Sequence, residues 1–227
     1  MISLEVPNRA ERVVGVFALL CLALSVLMMG PPYFSNASRP PRGIGNAAIA
    51  IQVIQSVGEV DEILSEAPSP DREAMRIKEY VDFGFIASYA GLFFTLALLL
   101  NSLGTWDKIA GLAAGICGLA AAAFDVRENF AILRILDVRL EETTAPMMNA
   151  IRSASAAKWV LSAVALALIA SYFLRDNRWP RRIIGAFLIA GALLQIYGLV
   201  DNVWLVRQGL FLGAAMIGLV ILFFRVK

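Results

Sequence analysis

The sequence predicts an all-α polytopic membrane protein, a bundle of about six transmembrane helices with an amphipathic helix in its first long loop. Three observations carry this reading. Six stretches, 13–30, 83–100, 109–124, 159–174, 183–200 and 209–224, each run for sixteen to eighteen residues without a charge. The chain is 59% hydrophobic with a mean hydropathy of +0.71. Only 17% of its residues are charged, where soluble chains carry about 25%. At 1.5 Å per residue, roughly 20 residues cross the ~30 Å hydrocarbon core, and in lipid the backbone must satisfy its own hydrogen bonds. With their flanks, the spans fall near 13–30, 83–103, 108–128, 157–174, 182–202 and 205–225, within a single domain of 1–227.

The first run follows Arg9 and Arg12, but Glu5 and Glu11 dilute that charge. It exceeds a signal-peptide core, and Met28-Met29-Gly30-Pro31-Pro32 offers no small-x-small cleavage site, so it reads as a retained helix. The loop over 31–79 opens on turn formers, Pro31-Pro32 and Pro40-Pro41-Arg42-Gly43. Over 46–66, Val53, Val57, Val60 and Leu64 share a helical stripe opposite Glu59, Glu62 and Glu66, which predicts an amphipathic helix lying on the bundle or the membrane surface. Ala67-Pro68-Ser69-Pro70 ends it, and Asp71 is expected to cap the helix entering the second span. The third span continues without a breaker through Asp125-Val126-Arg127-Glu128-Asn129 toward Thr143, so this helix should protrude from the bilayer. Short turns at 101–107 and 175–180 join antiparallel neighbours. Trp106, Trp159, Trp179 and Trp204 stand at run ends, where interfacial aromatics belong.

Basic residues near the spans set the expected orientation. With both termini cytoplasmic, the inner side holds Arg9, Arg12, Lys108, Arg175, Arg178, Arg181, Arg182, Arg225 and Lys227. Arg127, Arg134, Arg139 and Arg152 oppose this, in longer segments rich in acids. The expected location is the plasma (cytoplasmic) membrane, with the lipid bilayer as partner and a lipid ligand or other membrane subunits as further candidates. A net charge of +2 without a basic, aromatic-interleaved stretch gives no signal for nucleic acid. Gly111/Gly115 and Gly209/Gly213 form GxxxG pairs suited to close helix packing. Asp82/Asp125 and Lys158/Asp201 repeat a separation of 43 residues, a spacing that any two similar hairpins produce.

No histidine is present. This removes His-ligated haem, histidine-bound zinc and a Ser-His-Asp triad. Cys21 and Cys117 lie in apolar runs, form no CxxC pair and read as packing residues. No cofactor is identifiable from the residues.

The ionisable residues beside the runs converge at one depth on the predicted outer side. Glu79 and Asp82 enter span two; Asp125, Arg127, Glu128 and Asn129 leave span three; Lys158 enters span four; Asp201 and Asn202 leave span five; Arg207 enters span six. Asp125, Glu128 and Asn129 share a helical face at i, i+3 and i+4. Asp82, Asp125, Glu128, Asn129, Lys158, Asp201, Asn202 and Arg207 are the candidate site, and the last three are expected to meet Asp125, Glu128 and Asn129 across the bundle. Such a cluster suits structural ion pairing, a hard cation such as Mg²⁺ or Ca²⁺, or an acid protonating an apolar substrate. The leading expectation is a non-enzymatic binding, permeation or accessory component with this cluster at the extracytoplasmic mouth. The alternative is a histidine-free, carboxylate-dependent enzyme acting on a lipid or isoprenoid. Glu79-x-x-Asp82 and Asp125-x-x-Glu128 match neither the NxxxD and DxxxD patterns of membrane prenyltransferases nor the DxxDG signature of CDP-alcohol transferases.

Overall fold

In the computed structural model, which describes residues 9–35, 41–101 and 103–224, six helices are long and apolar enough to cross a membrane. They are α1 (Arg9–Met29), α4 (Pro70–Asn101), α5 (Thr105–Leu136), α6 (Ala145–Arg175), α7 (Trp179–Gly198) and α8 (Val203–Phe223). Two short helices, α2 (Ala47–Ala50) and α3 (Val57–Leu64), occupy the first long loop, and no strand occurs among the described residues. The all-α polytopic bundle is therefore the observed fold. Glu5, Pro40, Arg225 and Lys227, which entered the sequence argument, lie outside the described residues.

The six long helices follow one another around a closed ring, with α1 packing on both α4 and α8. Ring closure is filled by side chains: Val14 and Cys21 of α1, Ile86, Leu92 and Phe93 of α4, Ile169 and Phe173 of α6, and Leu219 of α8 join one buried core. Small residues permit the closest approaches. A Cβ on Gly111 or Gly115 would stand 2.6 Å from Leu100 or 2.8 Å from Ala97 of α4, so this GxxxG pair is an internal seam. Around Gly209 and Gly213 nothing lies within 4 Å. The mid-span polar groups are satisfied inside the bundle. Ser88 bonds the Phe85 carbonyl and meets Cys21 Sγ at 3.2 Å, Thr95 donates to the Gly91 carbonyl, and Ser162 reaches Gln195 Oε1 at 3.0 Å.

Helices α4, α5 and α6 are 32, 32 and 31 residues long. Each measures roughly 47 Å and exceeds the ~30 Å core by more than three turns. Their antiparallel order brings all three excesses to the same end, where they carry a second apolar core. Ile44, Ile51, Ile54, Val60, Ile63 and Leu64 of the loop pack there on Met75, Ile132, Ile135, Met148 and Ile151. The loop is thus a cap seated on helix extensions rather than a helix lying in the membrane interface.

Three local expectations are corrected. The segment 46–66 is not one helix: α2 passes into a 3-10 turn at Ile51–Val53, and α3 starts afresh after Ser56, whose hydroxyl accepts from Glu59 N. An N-cap inside a heptad-like stripe overrides the periodicity. Val60 and Leu64 of that stripe are fully buried, while Val53 and Val57 are only partly so. Asp71 does not cap α4. Ser69 does, accepting from Arg72 N, and the Asp71 carboxylate instead accepts from the Ser35 backbone N–H and hydroxyl at 2.5 and 2.6 Å. Finally, α5 ends at Leu136 rather than near Thr143. The buried Arg72 guanidinium takes up its last carbonyls, donating to Ile135, Leu136 and Val138 at 2.8–3.2 Å and to Ser65 O. A cation on the negative end of a helix satisfies carbonyls that otherwise need water.

Candidate functional site

Between the two apolar cores lies a thin polar layer. Asp125 and Glu128 face inward from α5 because i and i+3 share a side, and Lys158 faces them from α6. Lys158 Nζ donates to Asp125 Oδ1 at 2.7 Å and to Glu128 Oε1 at 2.9 Å, and stands 2.9 Å from Glu128 Oε2 as well. Tyr89, from α4, donates its hydroxyl to Asp125 Oδ2 at 2.9 Å. Asn129 Nδ2 donates to Asp82 Oδ2 at 2.8 Å, joining α5 to α4 a second time. Glu128 is fully buried, and Asn129, Asp125 and Glu79 are nearly so. Glu79 stands one turn before Asp82 and within electrostatic reach of Asp82, Glu128, Lys158 and Asp125.

Five of the eight predicted site residues therefore meet: Asp82, Asp125, Glu128, Asn129 and Lys158. The other three do not join them. Helix α7 stops at Gly198, and a turn follows before α8 begins at Val203. Asp201 is itself the turn former, accepting from Val203 N and from Trp204 Nε1 at 3.1 Å. Asn202 donates to the Gly198 carbonyl and accepts from Arg42 Nη1 at 3.3 Å. Arg207 lies outside the ring with its guanidinium 4.4 Å above the Trp204 ring. The expected meeting of Asp201, Asn202 and Arg207 with Asp125, Glu128 and Asn129 is thus not what the chain does: reading 201–202 as a continuing helix hid the turn that directs them elsewhere.

A pocket of about 720 Å³ opens beside this layer, bounded by the cap, α6 and the α7–α8 turn. Gln52, Val53 and Gln55 line it from the cap, Asn149, Arg152, Ser153, Ser155 and Trp159 from α6, and Leu199 to Val203 from the turn. Ser155 and Trp159 belong to both features, since they flank Lys158 on α6; Lys158 Nζ sits 5.7 Å over the Trp159 ring. The buried Trp159 Nε1 and Gln52 Oε1 lack a hydrogen-bond partner among the described residues. Arg42 borders the pocket in a left-handed conformation, φ 53°. Its guanidinium bonds Glu59 at 2.9 Å, Asn202 and the Val53 carbonyl, tying the cap to the turn. A non-glycine residue at positive φ persists where its surroundings over-determine it, and such residues concentrate at ligand sites.

Sequence reasoning missed Tyr89 and all the pocket residues on the cap. Tyr89 had a legible signal, lying seven residues from Asp82 on the same face. The pocket had none, because it joins segments about 100 and 150 residues apart, as Gln52, Arg152 and Asn202 show. Among the described residues, no group of three or more acidic or cysteine side chains is arranged to hold a metal ion. No family model, no curated protein and no solved structure matches the chain.

The separation of the two groups has a direct consequence. Lys158→Met strands two buried carboxylates and is expected to cost about 3–5 kcal/mol, the usual penalty for removing one partner of a buried pair. Asp201→Asn and Arg207→Leu, which meet at Trp204 and not at the polar layer, should each cost no more than about 1 kcal/mol and add without coupling to Lys158→Met. Thermal or denaturant unfolding in detergent measures all three. Coupling of either Asp201 or Arg207 to Lys158 would reinstate the single-cluster arrangement.

Proposed function

We propose that the chain is a non-enzymatic binding component of the plasma (cytoplasmic) membrane, which holds a small or lipid-like ligand in the pocket beneath its cap. The pocket carries this reading. Its volume of about 720 Å³ falls within the ~300–1,000 Å³ typical of ligand sites, and its lining mixes polar groups such as Arg152, Asn149 and Gln52 with apolar ones such as Val53, Trp159 and Leu199. Permeation is poorly supported, since the ring is filled by packed side chains and its mid-span polar groups are bonded to one another. The enzyme reading is weaker too. Asp125 and Glu128, the acids it needs, are committed to Lys158 in a layer enclosed by two apolar cores.

The cap is proposed to face outward, with both termini cytoplasmic. The compact turn at 175–182 then carries four arginines inside, Arg175, Arg178, Arg181 and Arg182, whereas Arg42, Arg76 and Arg139 on the cap side are spread over longer segments. Single cysteines at the exposed Glu141 and Asn177, placed in a Cys21→Ala, Cys117→Ala background, report this. Membrane-impermeant maleimide on intact cells should label Glu141→Cys and spare Asn177→Cys; the opposite pattern inverts the orientation.

Native mass spectrometry on gently purified protein tests binding. One noncovalent adduct per chain is expected, and Ala156→Trp, which fills the pocket from α6, should remove it while leaving thermal stability within a few degrees. Adducts equal in both proteins, or none in either, contradict the reading.

A further inference from the structure

The pocket's lining defines what it takes. Its two arginines differ in what they are free to do. Arg42 is held by Glu59 and Asn202, whereas Arg152 is exposed and makes no ion pair among the described residues. Asn149 lies one turn before Arg152 on α6 and lines the same pocket, with an amide N–H₂ to offer, whereas the Ser153 hydroxyl donates to the Ala150 carbonyl. One carboxylate borders the pocket, Asp201, and it already accepts from Val203 N and Trp204 Nε1. The uncommitted charge at the pocket is therefore positive, in a planar guanidinium geometry that matches phosphate oxygens.

On the opposite wall, beside Asp201 and Asn202, apolar side chains lead out to an exposed apolar surface. Leu199, Val200, Val203 and Leu205 line it, and Val200 is 85% exposed at the end of α7, with Leu210 of α8 77% exposed beyond it. The pocket thus lies where a spanning helix ends, beside Trp204, at the level of lipid headgroups. A polar floor and an apolar exit at that depth suit an amphiphile rather than a wholly soluble anion.

We propose that this pocket binds the phosphate group of an anionic phospholipid, with Arg152 as its charge partner, Asn149 as a hydrogen-bond donor, and the acyl chains leaving over Leu199 and Val200. This rests on the binding role proposed above and gives that site its ligand class. The shared chemistry is a phosphate ester, and free phosphate is the competing source.

Delipidated full-length protein is titrated with dioleoylphosphatidylglycerol, with dioleoylglycerol, which lacks phosphate, and with inorganic phosphate, using native mass spectrometry and thermal shift. The phosphatidylglycerol is expected to bind at least tenfold more tightly than dioleoylglycerol, and Arg152→Gln to remove that preference while Arg152→Lys retains part of it. Arg152 is exposed on the helix surface, so the protein should fold in both variants, with thermal stability of the lipid-free forms as the control. Protection by inorganic phosphate equal to that by the lipid would overturn the lipid source. Equal binding of dioleoylglycerol and phosphatidylglycerol, or indifference to Arg152→Gln, would overturn the phosphate assignment while leaving a binding pocket in place. Failure of every probe, with no copurifying adduct in the untreated protein, would instead remove the binding role itself.

Discussion

One lysine ammonium shared by two carboxylates governs how this molecule is put together. Lys158 meets Asp125 and Glu128 where α5 and α6 leave the bundle core, with Tyr89 and the Asp82–Asn129 bond linking α4 to the same layer. Buried charges are costly, and here Lys158 offsets Asp125 and Glu128, while Tyr89 donates to Asp125 and Asn129 to Asp82. The layer fixes the rotation of three long helices about their axes, since a helix turned by one residue would carry these groups into lipid. That rotation in turn presents Met75, Ile132, Ile135, Met148 and Ile151 together on the extensions, which is the surface the cap requires.

The cap and the pocket follow from this arrangement. Loop residues 41–64 have no bundle of their own, and their apolar side chains are buried only against the three extensions. Arg72 closes the C-terminus of α5 from the start of α4, and Arg42 binds the cap to the α7–α8 turn. The pocket is the space left where the cap meets that turn without filling it. Its floor runs along α6 through Ser155 and Trp159, beside the ion-paired lysine, so the ion-paired layer lies directly beneath it.

Much of the fold was legible because the bilayer imposes so strong a pattern: charge-free runs of sixteen residues or more have few other meanings. The inward face of α5 was legible as well, since Asp125, Glu128 and Asn129 stand at helical spacing. What could not be seen was decided by competing local interactions. Ser56 and Ser69 act as caps, which divides the apparent amphipathic helix and displaces Asp71 from the role its position suggested. Asp201 forms a turn with Val203 and Trp204, a bond pattern that apolar periodicity does not encode. The pocket is a product of tertiary assembly alone, and no local spacing within the chain announces it.

The central claim is that the Lys158 layer holds the cap on the bundle, and hydrogen–deuterium exchange on the protein in lipid nanodiscs addresses it most directly. Comparing the native chain with Lys158→Met, the account predicts faster exchange at the amides of 44–64 and 129–136, with α1 and α8 unchanged. Unaltered protection over 44–64, or a uniform loss through all six spans, would contradict it.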